Sequence, residues 1–248
     1  MPDAQFSVAR LADVYDPLDP DRSDLDAYAA MVREHGARSV LDVGCGTGTF
    51  ACLLAQRGTE VTGVDPAGAS LDVARRKPGA ERVAWVHGDA TALPPDLEVD
   101  LAVMTANVAQ VFLTDEAWAE TLRCVHAALR PGGLLVFETR VPARQGWEDW
   151  VPERSRSVAD IDGVGRVETW HELLRVDLPY VTFRANVLFR SDGALLTSES
   201  TLRFRERAEL EESLGSAGFV VEEVRDAPDR PGREWVFVAR RGAPTLAP

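Results

Sequence analysis

Over the first 140 residues, short apolar runs alternate with stretches whose apolar positions recur every three or four residues. Residues 39–43, 60–64, 83–87, 100–105 and 134–139 are brief, mostly apolar runs, the signature of strands covered on both faces. Between them lie helical stripes. Phe50, Leu53 and Leu54 share one face after the first run, and Trp118, Leu122, Val125 and Leu129 share another after the fourth. Thr114, with Asp115 and Glu116 behind it, caps the longer of these helices. Ahead of the first strand, residues 6–15 read as a short amphipathic helix broken by Asp16-Pro17-Leu18-Asp19-Pro20. A second helix starts at Ser23 or Asp24, runs to about Glu34 and stops at Gly36. Strands alternating with helices imply a Rossmann-like, doubly wound α/β fold on a mostly parallel sheet.

After Arg140 the alternation stops. Residues 164–173, 180–190 and 195–205 follow a period of two instead, with Val181, Phe183, Ala185, Val187 and Phe189 on one face of the middle run. Ser191-Asp192-Gly193-Ala194 is a hairpin signal. An antiparallel β-sheet inserted after strand five is therefore expected over 141–204, either as a roof over a substrate pocket or as a dimerisation face. Helical pattern returns at 207–217 with Leu210 and Leu214 inward, Gly218 ends it, and 219–224 with 234–239 form a closing hairpin. The expected division is a core of 1–140 and 205–241 carrying seven strands, the insert, and a tail of 242–248.

The chemistry concentrates at the first strand-to-helix crossover, Asp42-Val43-Gly44-Cys45-Gly46-Thr47-Gly48. Glycines there let a ligand approach the main chain, and the following helix offers free N–H groups. A dinucleotide fingerprint fails because Thr49 stands where a third glycine is required, and a phosphate loop fails because the one lysine, Lys77, lies far downstream. The carboxylate of Asp42 repels a pyrophosphate and attracts a cation. Asp65, followed by Pro66, ends strand two about 20 residues on, the place from which an acid accepts ribose hydroxyls. Asp65 lies too early to cap the helix near Ser70, so the ligand role is expected of it. Beyond the carboxyl end of strand four, residues 105–110 face a ligand, with the Thr105 carbonyl, Asn107 and Gln110 as polar contacts.

These residues resemble the motifs of class I S-adenosylmethionine-dependent methyltransferases. The glycine turn is similar to the first motif, Asp65 to the ribose site, and Gly88-Asp89-Ala90 to the adenine site. Leu129-Arg130-Pro131-Gly132-Gly133 is similar to the turn before strand five. The resemblance covers roughly 39–139 and 205–240, and more distantly extends to bacterial amino-sugar N-methyltransferases, in which a Tyr-Asp pair like Tyr15-Asp16 precedes the first strand. It implies Tyr15 near the methionine end of the methyl donor and Arg22 near its carboxylate. It implies Asp42, Gly44, Cys45, Gly46, Asp65, Pro66, Asp89, Ala90, Thr105 and Gln110 around the rest. S-adenosylmethionine is then the cofactor and S-adenosylhomocysteine the product, with no metal.

Charge narrows the acceptor. Forty acids against 27 Lys and Arg leave a net charge of −13, and nucleic-acid binding draws on cationic side chains meeting phosphates. A small molecule rather than nucleic acid is the expected partner, with a homodimer through the inserted sheet as the other association. No apolar run reaches the roughly 18 residues of a membrane span, the first residues lack a secretory pattern, and three cysteines fit no metal or disulfide spacing. No membrane partner and a cytoplasmic location are expected. The reaction implied is methyl transfer to a nucleophilic N or O atom. His171, Tyr180 and Asn107 are the catalytic candidates, and Asn107, Arg140, Trp147, Trp150, His171 and Tyr180 the candidate substrate contacts. A non-catalytic S-adenosylmethionine or S-adenosylhomocysteine binder and a protein methyltransferase are the other readings. A short-chain oxidoreductase is excluded, because Val73 stands four residues before Lys77 where tyrosine is required.

Overall fold

The structure, a computed structural model, describes residues 2–242. Seven strands form the main sheet in the order β3-β2-β1-β4-β5-β11-β10. These are β1 (Ser39–Val43), β2 (Glu60–Asp65), β3 (Val83–His87), β4 (Val99–Met104), β5 (Leu129–Arg140), β10 (Phe219–Asp226) and β11 (Glu234–Arg241). The first five run parallel, and β11 lies antiparallel to both β5 and β10. The order in which strands are added to the sheet reverses between β1 and β4, so a crevice opens there at the strands' carboxyl ends.

Neighbouring strand residues point to opposite faces, and each face has its own core. Val40, Leu101, Val103 and Val136 pack beneath Leu25, Tyr28 and Met31 of α3 (Asp24–Glu34) and Phe50 and Leu54 of α4 (Thr49–Gln56). Leu41, Ala102, Met104, Leu135 and Phe137 pack on the other side. There they meet Trp118, Leu122 and Val125 of α6 (Asp115–Ala128) and Leu210 and Leu214 of α8 (Arg207–Ser216). Between α4 and α6 in the chain lies α5 (Gly68–Ala74).

Three boundaries differ from the sequence expectation. The entry helix is two, α1 (Ala4–Ser7) and α2 (Ala9–Leu18), parted at an extended Val8. Pro17 sits in the last turn of α2, where it interrupts little, so the helix ends after Leu18 rather than at Asp16. Leu129 opens β5 opposite Val99 instead of closing α6.

Two short 3-10 turns (Pro142–Arg144 and Gly146–Asp149) and a one-turn helix, α7 (Pro152–Ser155), lead into the insert, which carries four strands rather than three. They are β6 (Ser157–Ile161), β7 (Gly165–Asp177), β8 (Tyr180–Phe189) and β9 (Ala194–Arg203), all antiparallel. The missed strand, β6, is an edge strand with four of its five residues not buried, so it lacks the clear alternation of its neighbours. Helix α2 is sandwiched against this sheet, with Leu11 and Val14 meeting Val167, Val187 and Phe189. The Gln5 amide donates to Ser198 Oγ at 2.9 Å, and Ser200 Oγ donates to Asp3 at 2.5 Å. Of the expected tail, 242–248, residues 243–248 lie outside the described residues.

Candidate ligand site

The glycine turn is one half of the site. All three glycines take positive φ, but they do different work. A Cβ on Gly44 would lie 2.7 Å from Val108, and one on Gly48 would lie 2.5 Å from Trp85 and 2.7 Å from Ala74. A Cβ on Gly46 would meet no atom within 4 Å. Gly44 and Gly48 are therefore required by packing, whereas Gly46 presents bare main chain to the crevice. The amides of Gly44 and Cys45 donate to the Val64 carbonyl at 2.9 and 3.2 Å.

Asp65 is doubly engaged. Its Oδ2 accepts the Gly46 amide at 2.8 Å and its Oδ1 accepts the Ala67 amide, just ahead of α5, at 2.7 Å. A structural role was set aside from its position relative to Pro66, and the structure restores one: the carboxylate ties the glycine turn to the start of α5. Burial raises its pKa and the two amides oppose that. Each oxygen has lone-pair capacity for a further donor. Asp42 is the opposite case. It is 1% exposed, and neither oxygen has a hydrogen-bond partner. Burial, and then the neighbouring Asp65, push its pKa up to about 7. The Ala51 amide in the first turn of α4 draws it down at a geometry short of a hydrogen bond, and Arg22 draws it down further. A buried carboxyl without a donor carries a large desolvation penalty, which a cationic ligand group relieves.

The other sequence-predicted residues divide by position. Asp89 is exposed, with Oδ1 accepting the Thr91 amide at 2.9 Å, and Ala90 is buried beside it. The Thr105 carbonyl accepts a long 3.4 Å bond from the Val108 amide. Burial pushes the Cys45 thiol far above its ordinary range, so it is inert. The Pro66 carbonyl lies 3.1 Å from His87 Nε2. Asp16 pins α2 to the turn: its carboxylate accepts from Thr47 at 2.7 Å and pairs with Lys77 at 2.6 Å.

The second half is a cavity of about 430 Å³ beyond β4, β5 and β11. Tyr15, Arg22, Ala106, Asn107, Arg140 and Arg230 line it, together with Ser23 and the aspartates 19, 21, 24 and 229. Behind that wall two buried carboxylates, Glu138 and Glu234, were not anticipated from the sequence. Glu138 Oε1 accepts the Asn107 amide at 3.1 Å, and its other oxygen accepts the Tyr28 hydroxyl. Glu234 Oε1 accepts from Asn107 Nδ2 and from Arg230, each at 3.0 Å. Arg140 donates to Gln110 Oε1 at 2.8 Å. Burial, then Glu234, push the Glu138 pKa up to about 7. The available signal was a charged residue at one end of an otherwise apolar run, Glu138 near the end of β5 and Glu234 at the start of β11. Asn107 Oδ1, Gln110 Nε2 and Glu234 Oε2 are buried without partners.

The insert contributes less to this cavity than the sequence suggested. Trp147 is 4% exposed and packs edge-on against Phe204, so it is core. Tyr180 is 37% exposed and donates its hydroxyl to the Leu113 carbonyl at 3.1 Å. His171 packs edge-on against Phe183, and burial lowers its pKa. None of these three lines the cavity. Trp150 does not line it either, but it packs against a residue that does, with the Arg140 guanidinium 5.5 Å from the centre of its ring.

Residues 40–133, which carry the turn and four of the strands, match the family model of a methyltransferase domain. Over 119 residues the chain is 34% identical to the cypemycin N-terminal methyltransferase of a Streptomyces species, covering 48% of this chain and 49% of that protein. It is 33% identical over 133 residues to the malonyl-[acyl-carrier protein] O-methyltransferase of Serratia marcescens, covering 53% and 50%. The chain thus spans about half the length of the curated relatives it matches. Its fold aligns with SAM-bound CalS10, an amino pentose methyltransferase from Micromonospora echinaspora, at a TM-score of 0.67 and 22% identity, covering 88% of this chain and 90% of that one. The match to a methyltransferase domain is thus seated on the glycine turn, and the likeness of fold to CalS10 extends through the insert.

Proposed function

We propose that this protein transfers a methyl group from S-adenosylmethionine to a nucleophilic nitrogen or oxygen of a small molecule, and that the acceptor is an amine. The observation that carries the reading is the Asp42 carboxyl, buried without a donor at the end of β1, beside a turn whose Gly46 leaves the main chain open. That arrangement suits a ligand with cationic groups. The residue chemistry suits such a donor: an unpartnered buried carboxyl for a cationic group and an open main chain at Gly46. Gly46, Asp65, Asp89 and Ala90 would hold its nucleoside, and Asp42, Arg22, Tyr15 and the Thr105 carbonyl its methionine portion.

When bound, the sulfonium supplies an electrophilic methyl group and leaves as the thioether of S-adenosylhomocysteine. The chain's own share is alignment and exclusion of water, worth up to about 7–11 kcal/mol when the reacting groups are held near attack. Its electrostatics select the acceptor. Four aspartates line the cavity against three arginines, and Glu138 and Glu234 stand behind them. A cation is drawn into such a lining and an anion repelled. An amine loses its proton more readily than a hydroxyl, so it needs no dedicated strong base. Support by analogy comes from an amino pentose methyltransferase and the cypemycin N-terminal methyltransferase, while the Serratia relative is an O-methyltransferase.

The test is incubation with methyl-labelled S-adenosylmethionine and a deproteinised metabolite extract, followed by mass identification of labelled products. Label on an amine nitrogen is the expected result. Label on oxygen overturns the amine assignment, and label appearing instead on added peptides overturns the small-molecule one. Binding of S-adenosylhomocysteine with no transfer to either pool identifies a non-catalytic binder.

A further inference from the structure

The loop after β4 holds two consecutive non-glycine residues at positive φ, Ala106 at 55° and Asn107 at 62°. Left-handed backbone is costly for alanine, so neighbouring contacts must hold it in place. Two buried carboxylates do so. Glu138 receives the Asn107 main-chain amide, and Glu234 receives the Asn107 side-chain amide. The second contact also fixes which way the side chain points. A carboxylate accepts and the Asn107 Nδ2 donates, so turning the amide over would set Oδ1 against Glu234 Oε1. Asn107 Oδ1 is thereby left buried and without a donor, on a residue that lines the cavity. A buried acceptor kept unpaired in one orientation at a ligand cavity is a recognition group.

We propose that Glu138 and Glu234 are positioning residues for methyl transfer, together holding Asn107 so that its side-chain oxygen receives an N–H of the acceptor amine. The assignment of the acceptor rests on the reading in the preceding section, whereas the clamp itself rests on the contacts above. Glu138 is further anchored by the Tyr28 hydroxyl from α3, and Glu234 by Arg230. The clamp therefore joins α3, β5 and β11 to the loop of β4.

The chain has two asparagines, Asn107 and Asn186, so protein labelled with side-chain ¹⁵N-asparagine shows two NH₂ groups, and Asn186→Ser assigns them. In Glu234→Ala, solvent exchange of the Asn107 NH₂ should rise at least about tenfold as its buried acceptor is lost. Binding of S-adenosylhomocysteine by calorimetry should stay within about twofold, which also reports the fold. Transfer of methyl label to the metabolite extract should fall roughly 10–100-fold, as for a misplaced reactant. Asn107→Ala should lose transfer to the same extent, and Glu234→Ala added to it should cost nothing more, because both remove one device. Glu234→Gln, which keeps an acceptor oxygen, should rescue part of the loss; it is also the variant to use if the alanine form does not bind S-adenosylhomocysteine. Unchanged exchange at Asn107 in both Glu234 variants overturns the clamp, and additive losses in the double variant overturn its role in transfer. If the wild-type protein moves no label, the methyltransferase reading fails instead, and the exchange rates alone decide the clamp.

Discussion

The two halves of the site are built in different ways. At the glycine turn, main-chain amides do the work, and the residues that meet there lie within about one βαβ unit: Gly46 and Asp65 are 19 positions apart. At the ends of β4, β5 and β11, side chains do the work, and Asn107 meets Glu234 across 127 positions. The first half depends on which atoms are missing, since a Cβ at Gly46 is all that separates an open ledge from a blocked one. The second depends on which charges are present. A motif with few allowed residues can be recognised from its letters. A network that only requires a carboxylate here and an amide there cannot, because no letter in it is unusual.

The sharpest way to break this contrast is a pair of glycine substitutions. Gly48→Val should destabilise the fold by about 3–5 kcal/mol, from overpacking against Trp85 and Ala74 plus left-handed strain. Gly46→Val should cost only the strain, about 1–2 kcal/mol, yet weaken S-adenosylhomocysteine binding by about 100-fold or more. Urea unfolding and calorimetry separate the two effects. A Gly46→Val protein with wild-type affinity would refute the close approach of ligand to main chain.

The carboxylates give the next largest effect. Asp42 and Glu138 both rise from ordinary carboxylate values to about 7 in the fold. Below about pH 4 both are protonated folded and unfolded, and they add no pH dependence. Between that range and pH 7 the native state holds protons that the unfolded chain has released, so stability falls as pH rises. The loss is on the order of 3 kcal/mol per group if the shifts are fully expressed. Urea midpoints from pH 4.5 to 7.5 should show the decline, and Asp42→Asn or Glu138→Gln should flatten part of it. Ligand binding should run the other way, tightening as Asp42 ionises beside a cationic group. A flat stability profile would remove the uncompensated carboxyl from the argument.

The smallest effects compare a contact inside the site with one outside it. Asp65→Ala should weaken S-adenosylhomocysteine binding by about 1–3 kcal/mol, through lost bonds to a charged acceptor and a loosened Gly46. Tyr180→Phe, which removes a half-exposed hydroxyl bond to Leu113, should change methyl transfer by no more than about twofold and stability by under about 1 kcal/mol. Equal effects at the two positions would erase the distinction between the cavity and the inserted sheet.

Strand runs, glycine spacing and the placing of acids after β2 and β3 were legible in the chain because each reflects a local demand. Buried parallel strands need unbroken apolar letters, and a close turn needs missing side chains. Asp65 was legible as a site residue but not as the clasp of the turn, since the Gly46 amide, 19 positions away, meets it only when β1 and β2 pair. His171, Tyr180 and Trp147 show the converse. Their chemistry made them candidates, but period two at His171 and Tyr180 states only which face a residue takes, the irregular stretch around Trp147 states not even that, and neither states what covers the side chain. Here Phe183, the Leu113 carbonyl and Phe204 do.

By itself, then, the sequence determined the alternation that builds a doubly wound sheet and the ledge of bare backbone at its crevice, because short-range sterics and burial period act within a few residues. Tertiary structure alone decided that Glu138 and Glu234, carried by two strands that pair antiparallel, converge on Asn107 and hold its loop in a left-handed turn. Electrostatic partnership depends on distance in space, and for those three residues the fold supplies a proximity that the order of the chain does not contain.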